Sequence, residues 1–554
     1  MSKNPCMHRP GRALRRVAVV ILMVCGIAAS PARAGDMMQG VLQITWGDAP
    51  RMASGSASSA PQLEVWLDAG PGHRYRLDAD QARRAAGDLY ALANRRVAVS
   101  YTLRRSNERA GYKALAIDAI VPADRLSTRA LAIGVDGRGV LSVPLQGNTR
   151  WITLMCKFAD VDAEQKPRAF FQSQYGTAPG QLGHFWSEVS YGNIDLAGSA
   201  AHGWYTLPRP RSSYVATIDG KPKADLSLLF ADCTAMADPE VDFRGIQGVN
   251  LMFNDELDGY AWGGGACASM DGIHACPRAT WNPPWSFLHL AAMAHEMGHG
   301  YGLPHSNNSD GDGDTFDNPW DLMSDAWRMA DSDATYGLLP KHLNMVQRQR
   351  LGWVTAARTL VLSPEDVGTY DITLDTASLQ DAGGVQLLVL ALPAQPDPFA
   401  TVVYAVEARR RGGRYESRLA GDAVIIHRVN DYGIAYSMDT DVPPADHASN
   451  EGSMLKPGER WTMPDGQQSV EVVAETADGF VVRVGPRRRV MSSPLPALVR
   501  PAVTGVAATP VARDRMPGNR SGSPMAHDPA AAEPARRNVQ VSACAARPCA
   551  TPDR

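Results

Sequence analysis

Residues 295–305 read HEMGHGYGLPH and place three of the chain's thirteen histidines within eleven positions. The stretch before them, Phe287 to Met297, contains no Gly or Pro and several good helix formers, and Pro283-Pro284 stands where a helix could begin. The pattern therefore predicts a helix running into the motif. On it His295 and His299 are four residues apart and project from one face, the spacing that a tetrahedral metal requires of two adjacent ligands. Glu296 lies about 100° round the helix, able to address a water on the metal without displacing a histidine. Gly302 accepts the positive φ at which the chain can turn back, and His305 then supplies a third ligand. Three neutral imidazoles leave a zinc ion one open corner, the arrangement of a catalytic rather than a structural site, with Glu296 as general base.

A chain of 554 residues suggests two to four domains at about 100–200 residues each. Residues 1–34 read as an export signal: Arg9, Arg12, Arg15 and Arg16, an apolar run from Val17 to Ala29, then Ala32-Arg33-Ala34 as a small-x-small cleavage site. The apolar run is shorter than the roughly 20 residues that span a bilayer, and no later stretch is long enough, so an exported chain, secreted or periplasmic, without a membrane span is expected. Residues 35–147 alternate in short runs, as in Leu63–Leu67 and Val97–Tyr101, with one helix expected near Gln81 to Ala93. This predicts a small β-barrel-like domain with a pro or accessory role. Residues 148–355 mix strands such as Trp151–Met155 and Val249–Phe253 with helical stretches, an α+β pattern of mixed sheet plus motif helix. Residues 356–485 return to strand-like runs and predict a β-sandwich, and residues 486–554, rich in Pro, Ala and Arg, predict a disordered tail. Six cysteines follow the signal, none in CxxC spacing, and the short separation favours a Cys267–Cys276 disulfide.

His295-Glu296-Met297-Gly298-His299-Gly300-Tyr301-Gly302-Leu303-Pro304-His305 resembles the extended zinc motif of the metzincin metallopeptidases. Metzincins carry a methionine in a tight turn beneath the metal, and Asp321-Leu322-Met323-Ser324-Asp325 matches that feature through Met323. The wider context, Phe185–Asn193, Gly203–Pro208, Asn318–Met323 and Leu351-Gly352-Trp353, is similar to the gametolysin and immune-inhibitor-A groups and covers about residues 150–355. The resemblance implies a secreted zinc endopeptidase that hydrolyses peptide bonds. It departs from the pattern at Asp325, where some metzincins carry a tyrosine, and no propeptide cysteine lies between Gly35 and Met155. An N-terminal inhibitor would have to act through another contact.

Two further stretches stay open on sequence alone. Asp310, Asp312 and Asp314 alternate as in the first half of a calcium loop, although Thr315 replaces the turn glycine and Asp321 falls where glutamate is usual; a solvated acidic turn is the other reading. Trp262-Gly263-Gly264-Gly265-Ala266-Cys267 is either a strand on which a substrate backbone pairs or a plain flexible loop. A net charge of -3 gives no general pull toward nucleic acid, and the partner that the resemblance implies is a protein or peptide substrate. An adhesion protein on a retired peptidase scaffold, or a zinc hydrolase of a non-protein amide, are the alternatives.

Overall fold

One long strand, β1 (Asp36–Asp48), belongs to two assemblies at once. Its first half pairs with β4 (Arg96–Leu103) and its second half with β2 (Gln62–Asp68), while Trp46, Gly47 and Asp48 pair with the strand Ala261–Gly265 far along the chain. Residues 42–48 are buried, as expected of a strand covered on both faces. A computed structural model describes residues 36–486, apart from 51–59, 104–114, 125–142, 313, 367, 394–396, 398 and 442–449. The expected signal at residues 1–34 and all but the first residue of the expected tail at 486–554 lie outside the described residues.

The N-terminal segment adds β3 (Arg74–Leu77), α1 (Ala79–Ala86) and β5 (Leu115–Pro122) and forms the antiparallel run β5-β4-β1-β2-β3. Its end strands β3 and β5 do not pair among the described residues, so the barrel expected from the alternation is open at that seam. The helix expected over Gln81 to Ala93 stops at Gly87, whose φ of 68° ends it; only a short 3-10 turn at Tyr90–Leu92 follows.

The same sheet continues through β9 (Ala261–Gly265), β10 (Arg278–Asn282), β8 (Gly248–Phe253), β6 (Trp151–Lys157) and β7 (Ala200–Thr206), making ten strands. The last four are mutually parallel, and the nearly unbroken apolar runs of β6 and β8 follow from burial on both faces. On one face Trp186 of α2 (Leu182–Val189) packs with Met293 and Met297 of α4 (Leu290–Gly300). On the other, Phe230 of α3 (Leu226–Ala237) packs against Trp281. The helix expected to run from Phe287 into the motif is broken: a single turn at Pro284–Phe287 precedes α4, and His289 caps the latter in extended conformation.

Two sheets, all but one of whose strands lie beyond residue 358, share one core. The first runs β11 (Asn307–Asn308), β17 (Ala435–Ser437), β16 (Ala423–Asn430), β15 (Thr401–Arg409), β14 (Leu387–Ala391), β12 (Thr359–Leu362); the second runs β13 (Tyr370–Asp375), β20 (Gly479–Pro486), β19 (Gln468–Glu475), β18 (Arg460–Thr462). Leu388, Val406 and Ile426 of the first meet Ile372, Val470 and Val482 of the second, a sandwich in which inward residues alternate with outward ones. Because β11 begins two residues after His305, hydrogen bonds cross the expected boundary near residue 355, as β1 crosses the one near residue 147. Cys156 with Cys233 and Cys267 with Cys276 stand at disulfide distance, Cα atoms 6.0 and 4.0 Å apart. Among the described residues no helix is long and apolar enough to cross a membrane.

Candidate metal centre

Helix α4 brings His295 and His299 to one face, and Gly302, at a φ of 88°, turns the chain so that His305 faces them. The turn closes through the Leu303 amide donating to the Gly298 carbonyl at 3.1 Å. The three Nε2 atoms converge: His295 to His305 3.3 Å, His299 to His295 3.1 Å, His299 to His305 3.1 Å. Two nitrogens bound at about 2.0–2.1 Å to one tetrahedral ion stand about 3.3–3.4 Å apart, so the trio fits a zinc ion closely. His295 Nδ1 lies 2.7 Å from the Leu322 carbonyl and His299 Nδ1 2.8 Å from the Leu303 carbonyl. Each Nδ1 must carry the proton to make that bond, which leaves the Nε2 lone pairs aimed at one another. Facing lone pairs at such distances repel, and a shared cation removes the conflict. Burial also holds the His299 imidazole down to about 3, hence neutral, the ligating form.

Two glycines make the geometry possible. A Cβ on Gly263 would lie 2.3 Å from the Glu296 carbonyl oxygen, so only glycine lets α4 lie this close to β9. A Cβ on Gly298 would lie 2.4 Å from Met323 Sδ, so glycine there makes room for that side chain beneath the helix. Asp321, fully buried, ties the Met323 turn to the third histidine: it accepts from the Met323 amide at 3.2 Å and from Ser306 Oγ at 2.7 Å, while the Ser306 amide donates to the Met323 carbonyl at 3.1 Å. The sandwich braces the same turn through Arg409, which donates to the Trp320 carbonyl at 2.6 Å and is held by buried Glu407 and Glu416.

Glu296 is buried beside the histidines, and its Oε2 has no hydrogen-bond partner among the described residues. Burial, and then repulsion by Asp48, push its carboxyl well above the usual range. Asp325 accepts from the Trp327 and Arg328 amides at 3.1 and 2.9 Å.

Asp48 is the residue that sequence reasoning missed. Its Oδ2 lies 3.2 Å from His295 Nε2 and 3.0 Å from His299 Nε2, and its Oδ1 lies 3.0 Å from His305 Nε2. A carboxylate this close to three Nε2 lone pairs adds to the cluster of donor atoms that a shared cation would reconcile. With Asp48 in place, His295, Glu296, His299 and His305 are all 2–3% exposed, so the centre is sealed. Asp48 stands 247 residues before His295, and no spacing rule links a lone aspartate at a strand end to a motif so distant.

The second candidate site changes its membership. Ligand atoms of Asp310, Asp312 and Asp317 lie within 4.8 Å of one another, whereas Asp314 of the expected calcium set instead accepts from the Phe316 amide at 2.8 Å. Asp321, counted as the twelfth position of a calcium loop, points to the Met323 turn instead. Asp317 is buried with an unpartnered Oδ2, and burial together with repulsion from Asp314, Asp310 and Asp312 pushes its carboxyl up to about 8. A third grouping, Asp68 and His274 with Cys267 and Cys276, offers no thiolates because those cysteines stand at disulfide distance.

No protein-family model matches the chain, and no curated protein matches its sequence. The reading of this centre therefore rests on its own geometry.

Proposed function

We propose that the chain is a zinc-dependent endopeptidase of metzincin type that hydrolyses peptide bonds. The observation that carries this reading is the convergence of three imidazole Nε2 atoms within 3.1–3.3 Å, with an unpartnered glutamate adjoining them. Zinc held there supplies a Lewis acid for a carbonyl and acidity for an attacking water. His295 and His299 are fixed in tautomer and orientation by the carbonyls of Leu322 and Leu303, so the ligand cage is preorganised. Glu296 is the general base: it takes the water's proton and delivers it to the leaving amine. A buried carboxylate oxygen without a competing hydrogen bond is free to take that proton. Met323 shapes the floor under the ligands without touching substrate. Export is the natural companion of this activity, and the two cysteine pairs at disulfide distance support an oxidising compartment.

The test is Glu296→Ala. Because Asp48 covers the centre, casein hydrolysis and zinc content are measured on the unaltered chain and in an Asp48→Ala background. The variant should keep about one zinc per chain and lose at least about a hundredfold in rate, the contribution expected of a general base. A chelator should abolish the parent activity. Undiminished casein cleavage by the Glu296→Ala chain would remove the mechanism, and cleavage of amidated glycans or cell-wall peptides without casein would favour a non-protein amide substrate.

A further inference from the structure

The third histidine is held differently from the other two. His295 and His299 fix their rings through Nδ1 on a backbone carbonyl, whereas His305 Nδ1 is buried and has no hydrogen-bond partner among the described residues. Packing orients that ring instead. Trp46 leans on it with ring centroids 4.6 Å apart, and Phe316 meets it edge-on at 5.3 Å and reaches His295 at 6.4 Å. The position of Phe316, itself buried, therefore helps to set the aim of His305 Nε2.

Phe316 is placed by acidic residues on either side of it. Asp310 Oδ1 accepts from the Asp312 amide at 3.0 Å, Asp312 Oδ1 from the Asp314 amide at 2.6 Å and Asp314 Oδ1 from the Phe316 amide at 2.8 Å, while Asp317 Oδ1 accepts from the Asn308 amide at 2.6 Å. These bonds draw like charges together: donor atoms of Asp310, Asp312 and Asp317 stand within 4.8 Å of one another. Among the described residues no basic side chain forms an ion pair with any of the three. Asp317 is only 3% exposed, and its Oδ2 has no hydrogen-bond partner among the described residues. A buried carboxylate oxygen that faces two other carboxylates without a donor is costly, and a cation among the three would remove that cost.

We propose that Asp310, Asp312 and Asp317 hold a calcium ion, and that its occupancy tightens metal binding at the three histidines through Phe316. The coupling rests on the zinc reading above; the calcium site does not. A donor set made of carboxylates selects a hard cation, and calcium completes its six to eight oxygen ligands with carbonyls and water, which the exposed side at Asp312 admits. Magnesium demands a near-ideal octahedron and suits such a mixed, irregular shell less well. With calcium bound, the carboxylates no longer repel, Asp312 and Asp317 stay together, and Phe316 between them in sequence is held against His305. Without it the repulsion drives them apart, and the one imidazole that lacks an Nδ1 acceptor loses part of the packing that aims it. The effect is reciprocal, so zinc tightens calcium by the same factor.

Two titrations of the full chain separate the site from the coupling. Calcium chloride is first titrated calorimetrically into the metal-depleted chain; one calcium per chain is expected, bound at least about tenfold more weakly by Asp317→Asn. Asp312→Asn changes an exposed residue, keeps the oxygen that accepts from the Asp314 amide and guards against misfolding of the buried variant; it should weaken calcium at least about threefold. Zinc affinity is then read by competition with a zinc-selective chromophoric chelator, with and without saturating calcium. Calcium should tighten zinc at least about fivefold in the parent, the low end of ordinary coupling between sites, and leave it unchanged in Asp317→Asn. Phe316→Ala should bind calcium as the parent does and show no coupling. No calcium uptake by the parent, or undiminished uptake by both aspartate variants, would overturn the calcium site. Calcium bound with zinc affinity unchanged, or coupling that survives Phe316→Ala, would overturn the link through Phe316. No zinc bound with or without calcium would overturn the zinc reading and the coupling with it, while the calcium titration stands or falls by itself.

Discussion

Gly298→Ala pits two effects of known size against each other. Gly298 lies inside α4, where replacing glycine by alanine ordinarily stabilises a helix by about 0.5–1 kcal/mol. Here the new Cβ would sit 2.4 Å from Met323 Sδ and 3.1 Å from its Cε. A methionine at a surface would swing aside. Met323 is fully buried, packed with Leu303 and Leu322, and its backbone is pinned by Asp321 and Ser306. Overpacking a filled core costs about 1–3 kcal/mol, so the clash outweighs the helix gain and the net loss ranges up to about 2.5 kcal/mol. The assay is urea unfolding in the presence of a chelator, read as a lower midpoint at unchanged slope. In a Met323→Ala background the obstacle is gone, and the same Gly298→Ala change should raise the midpoint. The packing argument is refuted if Gly298→Ala stabilises the parent chain, or if its effect is the same in both backgrounds.

Two pH dependences follow from buried groups away from the histidines. Burial pushes His427 down to about 4, and it stays neutral in the fold. Between pH 6.5 and about 4 the unfolded chain takes up a proton that the folded chain does not, so stability falls on acidification across that window, by on the order of 3 kcal/mol in all. His427→Gln should flatten that part of the urea-midpoint profile, and an unchanged profile would contradict the assignment. Asp317 has the opposite sign: with its carboxyl pushed up to about 8, the folded chain keeps a proton that the unfolded chain releases, so stability falls as pH rises from about 4 to 8. Calcium at pH 8.5 should restore the lost stability in the parent but not in Asp317→Asn, and an identical midpoint with and without calcium in the parent would exclude a cation there.

What was legible in the sequence was whatever depends on short-range spacing. The i, i+4 pair of histidines, the positive φ at Gly302 and the strand runs at Trp151–Met155 and Val249–Phe253 are each set by neighbours within a few residues, and each lies where the pattern placed it. The sandwich was readable for the same reason, as alternating runs between turn residues. Illegible was everything decided by contacts between distant segments. The break at His289 goes with a distant segment, whose Tyr336 carbonyl accepts from the Leu290 amide at 3.0 Å and whose Leu338 amide donates to His289 Nδ1 at 3.1 Å; the exchange of Asp314 for Asp317 depends on which way each turn faces, and the pairing of β1 with β9 on a register between residues more than two hundred positions apart. Asp321 illustrates this: position counting noted it only as a mismatch at the end of a calcium loop, whereas its hydrogen bonds make it the link between the Met323 turn and the third histidine.

X-ray absorption at the zinc edge of the purified full chain tests the central claim most directly. The account predicts one zinc per chain with three imidazole nitrogens at about 2.0–2.1 Å and one oxygen ligand, and loss of a nitrogen from the shell in His305→Ala. A chain that retains no zinc after dialysis, or a shell without three imidazoles, would contradict it.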